Sequence, residues 1–180
     1  MQYLDWNGYC EDAMSVGEPY AKGVIGQKEN DMTQSNLIRN GSFDSLAGWV
    51  AKGNVKAGTL NGETAAVFNS SDSSLYQSVE GLAKGKYMLR ARANHDGGMG
   101  HNAHVSVTWW DGGNPNIGGG TSIRLDQNSQ EWKEVALPFE FSLDNSKIQL
   151  TLLPNVDGSG NPVDGKGTVY FTGLELTKTS

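Results

Sequence analysis

From residue 36 onward, apolar and polar side chains alternate with period two, the pattern of strands whose two faces meet different surroundings. In 86–94, Tyr87, Leu89, Ala91 and Ala93 form the apolar set, and Met88, Arg90, Arg92 and Asn94 fall on the other face. In 104–110, Val105, Val107 and Trp109 are apolar, leaving His104, Ser106, Thr108 and Trp110 opposite. In 146–153, Ile148, Leu150 and Leu152 oppose Lys147, Gln149, Thr151 and Leu153. The same reading predicts strands at 36–40, 48–51, 64–69, 74–80, 121–125, 131–141 and 168–177. Gly97-Gly98, Asp111-Gly112-Gly113-Asn114-Pro115 and Asp157-Gly158-Ser159-Gly160 punctuate them as turns. No long helix and no repeat is indicated, and short strands at this spacing predict a two-sheet β-sandwich. Trp49, Trp109 and Trp132 share the phase of aliphatic neighbours and are expected in the core. Tyr76 fits either the core or the edge of a cleft.

Residues 1–35 follow neither period. Tyr3, Leu4, Trp6, Tyr9, Met14, Val16, Tyr20, Val24 and Ile25 are scattered among Gly and acidic residues, too aromatic a set for a purely solvated tail. The segment reads as an arm, packed either on its own domain or on a partner. The expected division is an arm over 1–35 and a sandwich over 36–180.

The opening of the β region is Asn36-Leu37-Ile38-Arg39-Asn40-Gly41-Ser42-Phe43-Asp44, then Gly48-Trp49. Asn-Gly is a residue pair suited to the positive φ of a sharp turn. Further on come Leu75-Tyr76-Gln77-Ser78-Val79, Gly85-Lys86-Tyr87-Met88-Leu89-Arg90-Ala91, Glu131-Trp132-Lys133-Glu134-Val135, and Val169-Tyr170-Phe171-Thr172-Gly173-Leu174-Glu175-Leu176. In this order the segments resemble the galactose-binding-like carbohydrate-binding modules, the jelly rolls that bind cellulose, xylan and glucan, over about 36–178. The resemblance implies an all-β, two-sheet jelly-roll β-sandwich, here with an irregular N-terminal arm. It also implies that the strands holding the outward sets above are neighbours. Arg90, Arg92, Asn94, His104, Thr108, Trp110 and Gln149 would then merge into one ligand-binding patch.

That patch has suitable chemistry for a sugar. The apolar C–H face of a pyranose packs on an indole such as Trp110. Arg, Asn and Gln offer planar donors and acceptors to its hydroxyls. A solvated sheet face carrying Arg, Thr and Gln, with Trp110 covered by the arm, is the alternative.

Composition narrows the partners. With 180 residues there is room for one domain with a sizeable core plus an extension. A net charge of −6 argues against a nucleic-acid partner, whose phosphates call for cations. No apolar run suits membrane insertion. The first residues lack the basic and apolar regions of a signal peptide, and Cys10 stands alone, so the expectation is cytoplasmic synthesis without a disulfide.

Metal and catalytic constellations are thin. The resemblance brings a structural calcium, with Asp44 as a ligand, but Thr172-Gly173 stands where paired acids are usual, so no cofactor is expected. Asp157–Asp164 begins like a calcium loop without the distal Glu and reads as a turn. His95, Asp96, His101 and His104 read as incidental to a Gly-rich loop rather than as a zinc or nickel site. No Gly-x-Ser-x-Gly elbow occurs, and no acid falls in the outward sets named above, so the protein is expected to be no enzyme. Two roles remain open: a carbohydrate-binding domain recognising a polysaccharide or cell-surface glycan, displayed on a larger assembly; or a structural decoration protein of a phage capsid or tail, attached by residues 1–35 at the virion surface and binding no sugar.

Overall fold

The computed structural model describes residues 35–95, 103–125, 131–155 and 167–180, all within one unit spanning 34–180. Ten strands run in chain order: β1 Val50–Lys52, β2 Val55–Leu60, β3 Glu63–Phe68, β4 Ser74–Leu82, β5 Gly85–His95, β6 Ala103–Trp110, β7 Gly118–Leu125, β8 Lys133–Phe141, β9 Ser146–Leu153 and β10 Val169–Lys178. They make two five-stranded antiparallel sheets. One is ordered β1-β4-β9-β6-β7 and the other β2-β3-β10-β5-β8. The inward sets of both meet in one core, which includes Leu75, Ile148, Leu150, Leu152 and Val105 from the first sheet, and Phe68, Leu89, Phe171 and Leu176 from the second. This is the expected all-β jelly-roll sandwich.

Two strand expectations are corrected. Residues 36–40 form no strand; the segment runs beside the second half of β10, and the Asn36 side chain takes the place of ladder peptide groups. Asn36 Nδ2 donates to Leu174 O at 2.8 Å, and Leu176 N donates to Asn36 Oδ1 at 3.0 Å. Asn40 takes a positive φ of 48°, but Gly41 is needed for space: a Cβ there would run into the Leu174 carbonyl. The overlooked strand is β2. It pairs with β3 through Asn61-Gly62, both at positive φ (53° and 84°), as a two-residue hairpin requires.

The aromatic core anchors the opening segment. Phe43 and Trp49 are buried with ring centroids 5.2 Å apart, and Trp49 Nε1 donates to Arg39 O at 2.8 Å. Trp49 is thus the expected core residue, and Trp109 packs partly buried against the same cluster. Trp132 departs from expectation. It is partly buried and absent from the core cluster, and its ring centre lies 5.2 Å from the Arg92 guanidinium. Pro138, which has no N–H to give a ladder, sits in the edge strand β8, where that donor is not needed.

Candidate functional site

The seven residues expected to share a patch do not come together. Arg90, Arg92 and Asn94 lie on β5 in one sheet, whereas His104, Thr108, Trp110 and Gln149 lie on β6 and β9 in the other. The outward faces of two stacked sheets look in opposite directions, so the expectation that all these strands are neighbours fails for β5. Only β6 and β9 pair.

On β5 the arginines are engaged. Arg92 grips Glu63 with two nitrogens, at 2.6 and 3.2 Å, and Arg90 meets Glu134 at 3.2 Å. Asn94 is buried, and its Oδ1 accepts from His95 N at 2.6 Å.

The β6–β9 half gains members instead. Cross-strand register lines up Tyr76, Thr151, Ser106 and Ser122 in one row of outward side chains. Ser78, Gln149, Thr108 and Gly120 form the next, and Lys147, Trp110 and Gly118 the third. Leu153, His104 and Arg124 stand at the opposite end. The hydroxyls and the Gln149 amide thus occupy the middle of the face, with Tyr76 and Trp110 diagonally across it. At ordinary strand spacing the two rings are roughly 16 Å apart. Gly118 and Gly120 carry no side chains, which leaves the β7 flank of Trp110 low.

Trp110 is half-buried, with Lys147 Nζ 5.4 Å from its ring centre. That ammonium is held by Glu80 at 2.6 Å, so the ion pair overhangs one side of the indole. Asp111, the next residue, fixes the strand end: it accepts from Leu143 N at 2.8 Å and Ser142 N at 3.1 Å. Partial desolvation raises its pKa, but these backbone N–H groups and the Ser146 and Ser142 hydroxyls outweigh it and hold the carboxyl below its usual value. Burial, then the nearby Arg124 charge, lowers the pKa of His104, so it stands on this face as a neutral donor and acceptor at neutral pH.

Tyr76, left open between core and cleft by the sequence, is 36% exposed on this face. It borders a cavity of ≈ 430 Å³ lined by Arg39, Gly48, Val50, Tyr76, Gln77, Ser78 and Glu80. Gln77 is buried beneath it: its Oε1 accepts from Arg39 N at 2.8 Å and its Nε2 donates to Arg39 O at 3.0 Å. Arg39, Ser78, Ser106 and Lys147, which the expected patch did not include, also stand on this face or at its edge. Their strand phase was visible for Ser106 and Lys147, while Arg39 reaches the face from a segment with no regular phase.

Asp44 does not sit in a calcium-binding donor set. Its Oδ2 accepts from the Ser42 hydroxyl at 2.7 Å. The Thr64 hydroxyl donates to Ser42 O and the Thr172 hydroxyl to Thr64 O, both at 2.7 Å, so these carbonyls already have proton donors. No group of three His, Cys, Asp or Glu gathers among the described residues. Calcium calls for several oxygen ligands including anionic ones, and Asp44 with these neighbours does not fit it. His95 and His104 lie in different sheets. Asp96, His101, Asp157–Asp164, Cys10 and the arm over 1–34, including Trp6 and Tyr9, lie outside the described residues.

No protein-family model matches the chain, and no curated protein does either. Solved structures do, and they show its fold to be that of carbohydrate-binding modules. The chain is similar to TmCBM61, solved with β-1,4-galactotriose: 17% identity over 80% of this chain and 99% of that one, TM-score 0.56. It is similar to a family 16 carbohydrate-binding module at 17% identity over 79% of this chain and 100% of that one, TM-score 0.58. A third likeness is to part of a bacteriophage CBA120 tailspike protein, at 13% identity over 79% of this chain and 21% of that one, TM-score 0.52.

Proposed function

We propose that the sandwich is a non-catalytic carbohydrate-binding domain whose ligand, a polysaccharide or cell-surface glycan, lies across the outward face of the β1-β4-β9-β6-β7 sheet. The observation that carries this reading is the register that gathers Tyr76, Ser78, Gln149, Thr108 and Trp110 on one face. Rings there supply apolar platforms for pyranose C–H faces, and the amide and hydroxyls between them supply partners for sugar hydroxyls. Arg90, Arg92 and Asn94 leave the proposed site, while His104, Thr108, Trp110 and Gln149 remain in it. Glu80 is the sole described carboxylate on the face and is paired with Lys147. Glycoside hydrolysis generally uses two flanking carboxyl groups, so binding without cleavage is the chemistry proposed.

A glycan array and pull-down on insoluble polysaccharides test the reading. Trp110→Ala and Tyr76→Ala should each weaken binding by at least about tenfold, the loss of roughly 1.4 kcal/mol, with thermal stability preserved. A folded wild-type protein that retains no polysaccharide would refute it.

The likeness to part of a phage tailspike supports a compatible second reading, in which the domain is displayed on a capsid or tail through residues 1–35. Deleting residues 1–34 should abolish attachment while sparing glycan binding. Co-sedimentation of the truncated protein with the assembly at the full-length level would count against it.

A further inference from the structure

The cavity at the open edge of β4 has a charge pattern that the proposed glycan site does not explain by itself. β1 is short and pairs with Ser74, Leu75 and Tyr76, so among the described residues Ser78 and Glu80 have no strand neighbour on that side. Arg39 occupies this gap. Its peptide group is clamped by the Gln77 amide on both N–H and C=O, and the Trp49 indole donates to the same carbonyl. Three hydrogen bonds thus fix the origin of an exposed side chain, and the guanidinium has no ion pair among the described residues. Glu80, the acid lining the same cavity, is taken by Lys147 at 2.6 Å.

Lys52 extends the pattern. It opposes Ser74 on the face that carries Val50 and Tyr76, is exposed, and has no ion pair among the described residues. Among the described residues, Arg39 with the charged side chains of β1 and β4 makes two cations, Arg39 and Lys52, against one acid, the already paired Glu80, in a protein whose net charge is −6. A neutral sugar needs no such excess. A guanidinium presents a planar fork that matches a carboxylate in two parallel hydrogen bonds, and an anchored backbone reduces the entropy lost in making them.

We propose that the ligand of this face is an acidic polysaccharide, a chain bearing uronic acid residues. One sugar ring packs against Tyr76, its carboxylate meets Arg39 in the cavity, and Lys52 meets a neighbouring charge. The proposal rests on the reading of this face as a glycan site and adds the class of glycan.

Titration calorimetry separates the two. The probes are polygalacturonate and alginate as acidic chains, fully methyl-esterified polygalacturonate as the same backbone without charge, and β-1,4-galactan and xylan as neutral chains. At least one acidic chain should bind, about tenfold or more tighter than the esterified and neutral probes at low salt. That advantage should shrink as salt screens exposed charges. Arg39→Gln should remove most of the advantage of the acidic chain over its methyl ester, and Lys52→Gln should remove a smaller part. Lys52 is exposed, so its variant keeps the test available if Arg39→Gln fails to fold. Tyr76→Ala should weaken acidic and neutral chains alike. Equal affinity for the acid and its methyl ester, or affinity for neutral chains alone, overturns the proposal and leaves the glycan reading standing. Failure of folded protein to bind any of the probes, with no glycan retained on the array, removes both.

Discussion

The two outward faces of this sandwich are built from similar residue types and end in opposite states. On the β2-β3-β10-β5-β8 sheet, Arg92 is forked onto Glu63, Arg90 meets Glu134, and Trp132 lies against Arg92. Ala65, Val67, Asn94 and Thr172 are buried on that outward side. On the β1-β4-β9-β6-β7 sheet no described outward side chain of β1, β4, β6 or β9 is buried. Polar groups there line up in rows across three strands, and Arg39 and Lys52 stand at the edge without acidic partners among the described residues. Arginine count is therefore a poor guide to a binding face. A guanidinium satisfied by a neighbouring carboxylate has little left to offer a ligand, whereas one held by its backbone with a free head group is prepared for one.

The comparison can be tested by substitution, beginning with the largest expected effect. Trp49→Ala should cost about 3–5 kcal/mol by emptying a buried aromatic site, and it also removes the donor to the Arg39 carbonyl. Chemical denaturation would measure it, and near-wild-type stability would contradict the packing of Trp49 on Phe43. Gln77→Leu should cost about 1–3 kcal/mol, because it leaves the Arg39 N–H without its partner. Glycan affinity should fall together with stability, since the cavity loses its anchor.

On the opposite face the effects should be smaller and confined to stability. The Arg92–Glu63 pair is about a third to two-fifths exposed, so a double-mutant cycle should give a coupling of about 1 kcal/mol or less. Glycan binding should be unchanged in all three variants, and a loss of binding in Arg92→Ala would show that the two faces are not separate. The smallest effect should be present near neutrality and fade in acid. The Asp111 carboxyl is held below its usual pKa, so its stabilisation is complete above the ordinary carboxylate range and is lost as pH falls through the depressed value. Asp111→Asn should be less stable than wild type near neutrality, with the gap closing at low pH. A gap independent of pH would mean that the charge of Asp111 contributes nothing.

Much of the architecture was legible along the chain. Period-two alternation located nine of the strands to within a few residues, because burial of one face imposes it on any half-buried strand. It failed at 36–40, where Asn36 replaces ladder groups with its own amide, and at Val55–Leu60, where Gly58 and short side chains weaken the contrast. Alternation also assigned Trp132 to the core, although the residue lies just before β8 and packs under Arg92. For the site, it correctly turned Trp110, Thr108, His104 and Gln149 outward, and it turned Arg90 and Arg92 outward as well.

By itself the sequence determined which side of a strand faces the core wherever the alternation was clear, since that follows from a local repeat of two residues. Which outward faces lie side by side was decided only by the tertiary structure. Strand order within a sheet joins residues far apart in the chain, such as Gln77 with Leu150 and Thr108 with Gln149, and no local period encodes that pairing. Sheet order separated β5 from β6 and β9, and so divided one expected patch into a closed ion-paired face and an open one. It also brought Arg39 over the edge of β4, through a glutamine side chain whose purpose becomes visible only when the chain is folded.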